Sequence, residues 1–226
     1  MSGDTNRMPS TSSPVPPETT TSVPLTLRLG FWFSIAIAIA AVVRRMVALA
    51  GSPSRSDSPT RALDLVFAEH EALTLVHIVP ALLFVLLAPI VILRKGSRLS
   101  WADKLLYPLG ATVGLSAYAM SLYSIGGWLE RSAVLVFNSA FLFSLWRAWQ
   151  ARQLGDAASE RRWRVRAVVI LLGIATTRPV MAIFFASRSL THLEPQQFFG
   201  VAFWIGFAIN TIIVEFWLRR RPVGAT

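Results

Sequence analysis

Apolar residues are gathered into long runs along this chain rather than spaced at the period of a surface helix or strand. Each run has roughly 20 residues, the length that an α-helix needs to cross about 30 Å of hydrocarbon. Polar or basic segments separate the runs. The pattern predicts an all-α integral membrane protein, a bundle of about six transmembrane helices, with spans at 27–50, 72–93, 105–125, 132–149, 167–187 and 197–218.

Both ends of the chain lie outside the apolar runs. Residues 1–24 are almost all Ser, Thr, Pro and small residues, which cannot bury enough apolar surface to offset the entropy lost on ordering. We therefore predict a disordered N-terminal tail over 1–24, a membrane domain over 25–221 and a short tail over 222–226. The long polar lead before the first apolar run argues against a cleaved signal peptide.

The composition restricts the class of protein further. The chain is 54% hydrophobic and 15% charged, with a formal net charge of +10. The arginines cluster at the ends of apolar runs, which favours contact with anionic lipid headgroups, and no nucleic acid is predicted as a partner. The absence of cysteine excludes disulfides, thiolate metal sites and cysteine nucleophiles.

The distribution of basic residues predicts the orientation. The second and fourth loops and the C-terminal tail are rich in arginine and lysine, whereas the third and fifth loops carry only Arg131 and Arg188. The positive-inside rule then places the protein in a bacterial inner membrane with both termini on the cytoplasmic side. The first loop is the exception, because it contains Arg44, Arg45, Arg55 and Arg61. We expect Arg44 and Arg45 to extend from the end of the first span to the headgroups.

Four polar side chains within the predicted spans form a first candidate group. A rise of 1.5 Å per residue places Arg178, Asn138 and His77 roughly 13, 10 and 8 Å below the outer ends of their spans. They are therefore expected to meet in one cavity, with Asn210 lying nearer the cytoplasm. Because an arginine within hydrocarbon is costly unless paired or wetted, this group predicts either a structural polar clamp between helices or a ligand, ion or proton site.

A second group lies at the cytoplasmic end of the fifth span. A basic run abuts the apolar segment there, and Glu215 of the last span is expected at the same level. We call this group the collar; it consists of Arg161, Arg162, Trp163, Arg166 and Glu215. It predicts a salt bridge from Glu215 to Arg162 or Arg166, with lipid or phosphate binding as the alternative.

Catalytic motifs are sparse. The chain has no GxSxG, HExxH or Walker sequence, so an enzyme is not favoured. Among His70, His77 and His192, only His77 falls clearly within a span, whereas a transmembrane haem generally needs histidines from two helices. No cofactor is predicted, haem or another pigment is kept as an alternative, and no metal-ligand set is identified.

His77, the block from Glu160 to Arg166, Thr177-Arg178, and the closing Asn210 and Glu215 together resemble the DUF2306 family of predicted bacterial multi-span membrane proteins. The resemblance covers roughly 70–220 and implies a helical membrane bundle with no established activity. Relatives commonly open the central block with a histidine, where this chain has Glu160, and carry another in the second loop, where it reads SWADKLLY. These departures favour a scaffold or binding role over a redox role.

The predicted function is a non-catalytic membrane subunit, or a protein that binds a small molecule or lipid, with a polar interior around Arg178. As a subunit, its partners would be other membrane proteins. Two alternatives stay open: a membrane redox protein, associated with haem or a pigment, and a small transporter or channel.

Overall fold

The computed structural model describes residues 24–50, 61–93 and 100–220, and these form nine helices. No strand occurs in this part of the chain, so the all-helical prediction is confirmed. The tails predicted over 1–24 and 222–226 lie, apart from Pro24, outside the described residues. The helices are α1 (Leu25–Ala50), α2 (Arg61–Glu69), α3 (Glu71–Leu93), α4 (Ser100–Ser121), α5 (Gly127–Gln153), α6 (Ala157–Leu171), α7 (Gly173–Ala186), α8 (Arg188–Thr191) and α9 (Pro195–Arg219).

Four helical segments of the described chain are long and apolar enough to cross a membrane. They are Leu25–Ala50, Glu71–Ile92, Ala157–Ala186 and Pro195–Arg219. The helices α4 and α5 have comparable lengths but a more polar composition, including Asp103 and Lys104 in α4 and Arg147 and Arg152 in α5. Four of the six predicted spans therefore correspond to helical segments that are long and apolar enough to cross a membrane. The spans predicted at α4 and α5 stay a prediction.

The bundle is arranged around α5, which contacts α4, α6 and α9. The helix α3 packs along α4, and α7 packs along α9. Large buried side chains from four helices meet in the core, among them Phe84, Leu106, Phe141 and Val168. The helix α1 contacts α3 and α7 and buries only Ile35, Ala38 and Arg45, so it closes one side of the bundle without entering its centre.

The segment α6–α7 is one rod with a tight turn at Leu172. The carbonyl of Leu172 accepts from the N–H groups of both Ala175 (2.9 Å) and Thr176 (3.4 Å), which tightens the helix locally. The rod begins well before residue 167, where the sequence predicts the span to start, because Asp156 caps it. The backbone N–H of Ser159 donates to the Asp156 carboxylate at 2.9 Å, which holds the pKa of that carboxyl below its usual value.

Glycine allows α7 and α9 to pack closely. A Cβ atom on Gly206 would lie 2.7 Å from the backbone nitrogen of Thr177, and one on Gly173 would lie 3.0 Å from the Cα of Phe207. Backbone atoms cannot rotate away as a side chain can. The close contact therefore fixes the position of α7, the helix that carries Arg178, against α9.

Gly206→Ala is accordingly expected to destabilise the protein by about 1–3 kcal/mol, because the added methyl group overpacks a backbone contact. Unfolding in detergent, followed by circular dichroism, measures the change. Gly30→Ala is the matched control, since nothing lies within 4 Å of a Cβ built there. It should leave stability unchanged or raise it by up to ~1 kcal/mol through helix propensity. Equal behaviour of the two variants would contradict the close α7–α9 contact.

Candidate functional site

A cavity of about 730 Å³ lies inside the bundle. Every described helix except α8 contributes to its wall, and most of the lining side chains are apolar. Small-molecule sites in proteins commonly enclose ~300–1,000 Å³ and have apolar walls with a few polar groups. The cavity therefore has the size and lining of a ligand site.

The two ends of the cavity differ in polarity. One end, which we call the mouth, lies where α1 ends, α3 begins and α4 connects to α5; its polar lining residues are Arg44, Arg45, His70, Ser121, Tyr123, Ser124 and Glu130. The opposite end, which we call the floor, is lined by Val85, Val113, Phe141, Ile170, Leu171 and Phe207. The α3 wall from Leu73 to Val85 extends about 18 Å at 1.5 Å per residue. The cavity is thus elongated, polar at the mouth and apolar at the floor.

Arg178 lines the cavity between the mouth and the floor. Its Nε is buried and has no hydrogen-bond partner among the described residues, and no carboxylate in that part of the chain forms an ion pair with it. The charged groups that act on it are Arg45, Arg44 and Glu130. The Glu130 carboxylate is engaged elsewhere, since it accepts from the backbone N–H of Gly126 at 2.7 Å. Arg178 is therefore a half-buried cation whose Nε donor has no partner within the described residues.

His77 and Asn138 line the same cavity as Arg178, as their predicted depths require. Their hydrogen bonds, however, run to α4. The Nδ1 of His77 lies 2.9 Å from the Oγ of Ser116, and the Nδ2 of Asn138 donates to the carbonyl of Gly114 at 2.8 Å. None of these bonds joins two of the three residues; His77 and Asn138 instead link α3 and α5 to α4, while Arg178 takes part in neither bond.

Asn210 lies outside the cavity lining and bridges α9 to the turn between α6 and α7. Its Nδ2 donates to the carbonyl of Val169 at 2.9 Å, and the hydroxyl of Thr176 donates to its Oδ1 at 2.7 Å. Carbonyls beside a helix interruption lose their usual partners and need such substitutes. Asn210 therefore has a structural role, because its two hydrogen bonds join α9 to α6 and α7.

The collar links α6 to the end of α9. The Nη2 of Arg166 lies 3.1 Å from the Oε2 of Glu215, and its guanidinium lies 4.4 Å above the Trp163 ring. Arg162 donates to a backbone carbonyl near the end of α9 at 3.3 Å. Arg161 is partly exposed on the same helix. Of the two pairings that the sequence allows for Glu215, the structure therefore contains the one with Arg166.

A second charged cluster joins α4, α5 and α6, and sequence reasoning missed it. Arg164 contacts Asp103 at 2.7 Å, and Arg152 contacts Glu160 at 3.4 Å. The hydroxyl of Tyr107 donates to the same Glu160 carboxylate at 3.1 Å. The i,i+4 spacing of Glu160 and Arg164 on one helix was the available signal. Because each charged group has an opposite partner, the cluster holds three helices together.

At the mouth of the cavity, the position of Arg45 differs from the prediction. The sequence predicts that Arg45 extends to the headgroups, but in the structure it is buried, with its guanidinium 4.0 Å from the centre of the Phe67 ring. The physical reason is α2, which folds against the end of α1 and covers this arginine. Beside it, the rings of His70 and Tyr123 are in contact, with their centres 3.6 Å apart and their planes tilted by 35°.

The histidines and carboxylates of the described chain do not converge on a metal site. Within 24–50, 61–93 and 100–220, no group of three or more His, Cys, Asp or Glu side chains is placed to hold a metal ion. His70 and His77 line the cavity, whereas His192 is not among the lining residues.

Comparison of the chain with models of protein families, with curated proteins and with solved structures gives no match. The resemblance to DUF2306 therefore stays a prediction based on the motifs quoted above.

Proposed function

We propose that this chain is a membrane-embedded binding protein, which holds a small amphiphilic or lipidic molecule in the cavity beside Arg178. The observation that carries the proposal is the buried Nε of Arg178, which has no partner in the described part of the chain and lies in the wall of an apolar cavity of about 730 Å³. An arginine in such a place is costly unless an anion or water satisfies it. A bound polar group would supply that partner.

The expected source of ligand selectivity also favours a role for Arg178. Moving a methylene from water to an apolar site contributes about 0.8 kcal/mol. A molecule that arrives from the bilayer gains far less, because lipid tails are already as apolar as the floor of the cavity. Selectivity for one membrane molecule over the bulk lipid must therefore come from the polar groups of the cavity.

We further propose that the chain crosses a bacterial inner membrane six times, with both termini in the cytoplasm. At 1.5 Å per residue, α4 and α5 extend about 33 and 40 Å, enough to cross the hydrocarbon beside the four more apolar segments. In this orientation the mouth of the cavity opens toward the outer leaflet, and the collar arginines lie among anionic headgroups on the cytoplasmic side. Assembly with other membrane subunits is compatible with the same cavity.

The test is to identify what the protein retains on gentle purification. Bound molecules are extracted from wild type, Ala117→Phe and Ala119→Phe, and compared by mass spectrometry with the bulk membrane lipid. Ala117 lines the cavity, whereas Ala119 lies on the same helix outside the lining. We expect one amphiphile to be enriched several-fold in wild type and Ala119→Phe and depleted in Ala117→Phe. Bulk lipid composition in all three folded proteins would refute the proposal.

The same preparation separates binding from the redox alternative. Absorption spectra are recorded before and after reduction with dithionite. The proposal expects no absorption band in the visible region that changes on reduction. A Soret band that shifts on reduction and disappears in His77→Ala would instead establish a haem protein.

A further inference from the structure

Charged side chains line the polar part of the cavity. Among the described residues these are the guanidinium groups of Arg44, Arg45 and Arg178 and the carboxylate of Glu130. The carboxylate is fixed by the backbone at the start of α5. Arg178 has a buried Nε donor without a hydrogen-bond partner among the described residues, so its positive charge favours a negatively charged ligand.

Three other polar groups along the wall have hydrogen-bond partners within the protein. His77 and Asn138 bond to α4, as described, and the hydroxyl of Thr74 donates to the carbonyl of Phe67 at 3.1 Å. Arg178 differs from them because its Nε donor is left unsatisfied. A ligand that completes the hydrogen bonds of this wall must therefore present an acceptor to a guanidinium.

We infer that the ligand is an acidic amphiphile, whose carboxylate or phosphate oxyanion binds Arg178 and whose apolar chain lies in the floor of the cavity. The inference rests on the proposed function and adds the charge of the ligand and its direction. A guanidinium binds an oxyanion through two parallel, charge-assisted hydrogen bonds. The apolar surroundings strengthen that interaction relative to water.

The cavity also has room for the chain. About 12 Å of wall separates Arg178 from the floor residue Ile170 along the α6–α7 rod. Over this length the neighbouring lining residues are apolar, including Ala175 and Ile174. The reverse direction, with the acid group at the floor, would bury a charge among Phe141, Leu171 and Val85, where the described lining residues include no cation.

Competition binding tests the inference with probes that share one chain and differ in headgroup. Purified protein is loaded with radiolabelled oleate, which is displaced by unlabelled oleate, oleyl alcohol, oleylamine or oleoyl lysophosphatidate. We expect at least tenfold lower midpoints for the two acids than for the alcohol and the amine. The order of the two acids then tells whether a carboxylate or a phosphate is preferred.

Variants assign the preference to Arg178. Arg178→Gln is expected to abolish the acid preference, and Arg178→Lys to retain part of it. Arg188→Gln is the matched control, because Arg188 forms an exposed pair with Glu194 outside the cavity and its removal should change nothing. Size-exclusion profiles and circular dichroism verify that each variant is folded.

Equal displacement by acid, alcohol and amine in wild type would overturn the acidic headgroup and leave the binding function intact. An acid preference that survives in folded Arg178→Gln would overturn the role of Arg178. Failure of oleate to bind, together with a neutral molecule found in the extraction experiment above, would likewise overturn this inference alone.

Discussion

Replacing Arg178 with methionine is expected to make the ligand-free protein more stable, by roughly 1–3 kcal/mol, while abolishing its binding of an acidic ligand. The gain arises because the substitution removes a buried donor that no described residue satisfies. Methionine is unbranched and fills a similar space with apolar atoms. Stability and binding then change in opposite directions, as is common where a site is kept strained for its ligand.

Denaturant unfolding of delipidated protein measures this difference. Arg188→Met is the control, because Arg188 is exposed and paired with Glu194 at 2.9 Å, and such pairs contribute about 0–1 kcal/mol. A structural clamp would predict the opposite sign for Arg178→Met, namely a loss of several kcal/mol. Such a loss, with ligand binding unaltered in the remaining folded protein, would show that Arg178 supports the helices rather than a ligand.

The second large effect is expected at Glu160. Glu160→Gln should destabilise the protein by about 3–5 kcal/mol, because it leaves Arg152 and Arg164 with a single carboxylate, Asp103, between them. Glu160 is 4% exposed, so solvent does not compensate. The amide keeps the size of the side chain and an acceptor for Tyr107, which restricts the change to the lost charge.

The same unfolding experiment checks this prediction against Glu194→Gln, which removes an exposed carboxylate and should cost less than about 1 kcal/mol. A double variant that also carries Arg152→Gln should recover part of the loss, because the uncompensated arginine is removed with its partner. If Glu160→Gln is no less stable than Glu194→Gln, the buried cluster does not hold α4, α5 and α6 together.

The depth of the polar residues could be estimated from the sequence, but not the faces on which they lie. Arg178, Asn138 and His77 line one cavity, as expected for antiparallel helices with a constant rise per residue. Asn210 was grouped with them, yet it lies on the face of α9 toward the α6–α7 turn. The rotation of a helix depends on its neighbours, and an apolar run surrounded by lipid gives little sign of it.

The charged cluster at Glu160 could not be predicted because it depends on helices that continue beyond the apolar runs. The helix α5 extends to Gln153, and Asp156 then starts α6 at once, so Arg152 and Glu160 approach each other across a tight connection. In the sequence this stretch resembles a basic loop. The prediction of the orientation treats all arginines of this stretch alike, but Arg152 and Arg164 are paired with buried carboxylates.

Native mass spectrometry of the protein released from its own membrane decides whether Arg178 holds an acidic ligand. We expect wild type and Arg188→Met to carry one tightly bound adduct whose mass corresponds to an acidic amphiphile. Arg178→Met should be folded and should lack that adduct. An adduct-free wild type, or the same adduct on Arg178→Met, would contradict the assignment of this cavity to an acidic ligand.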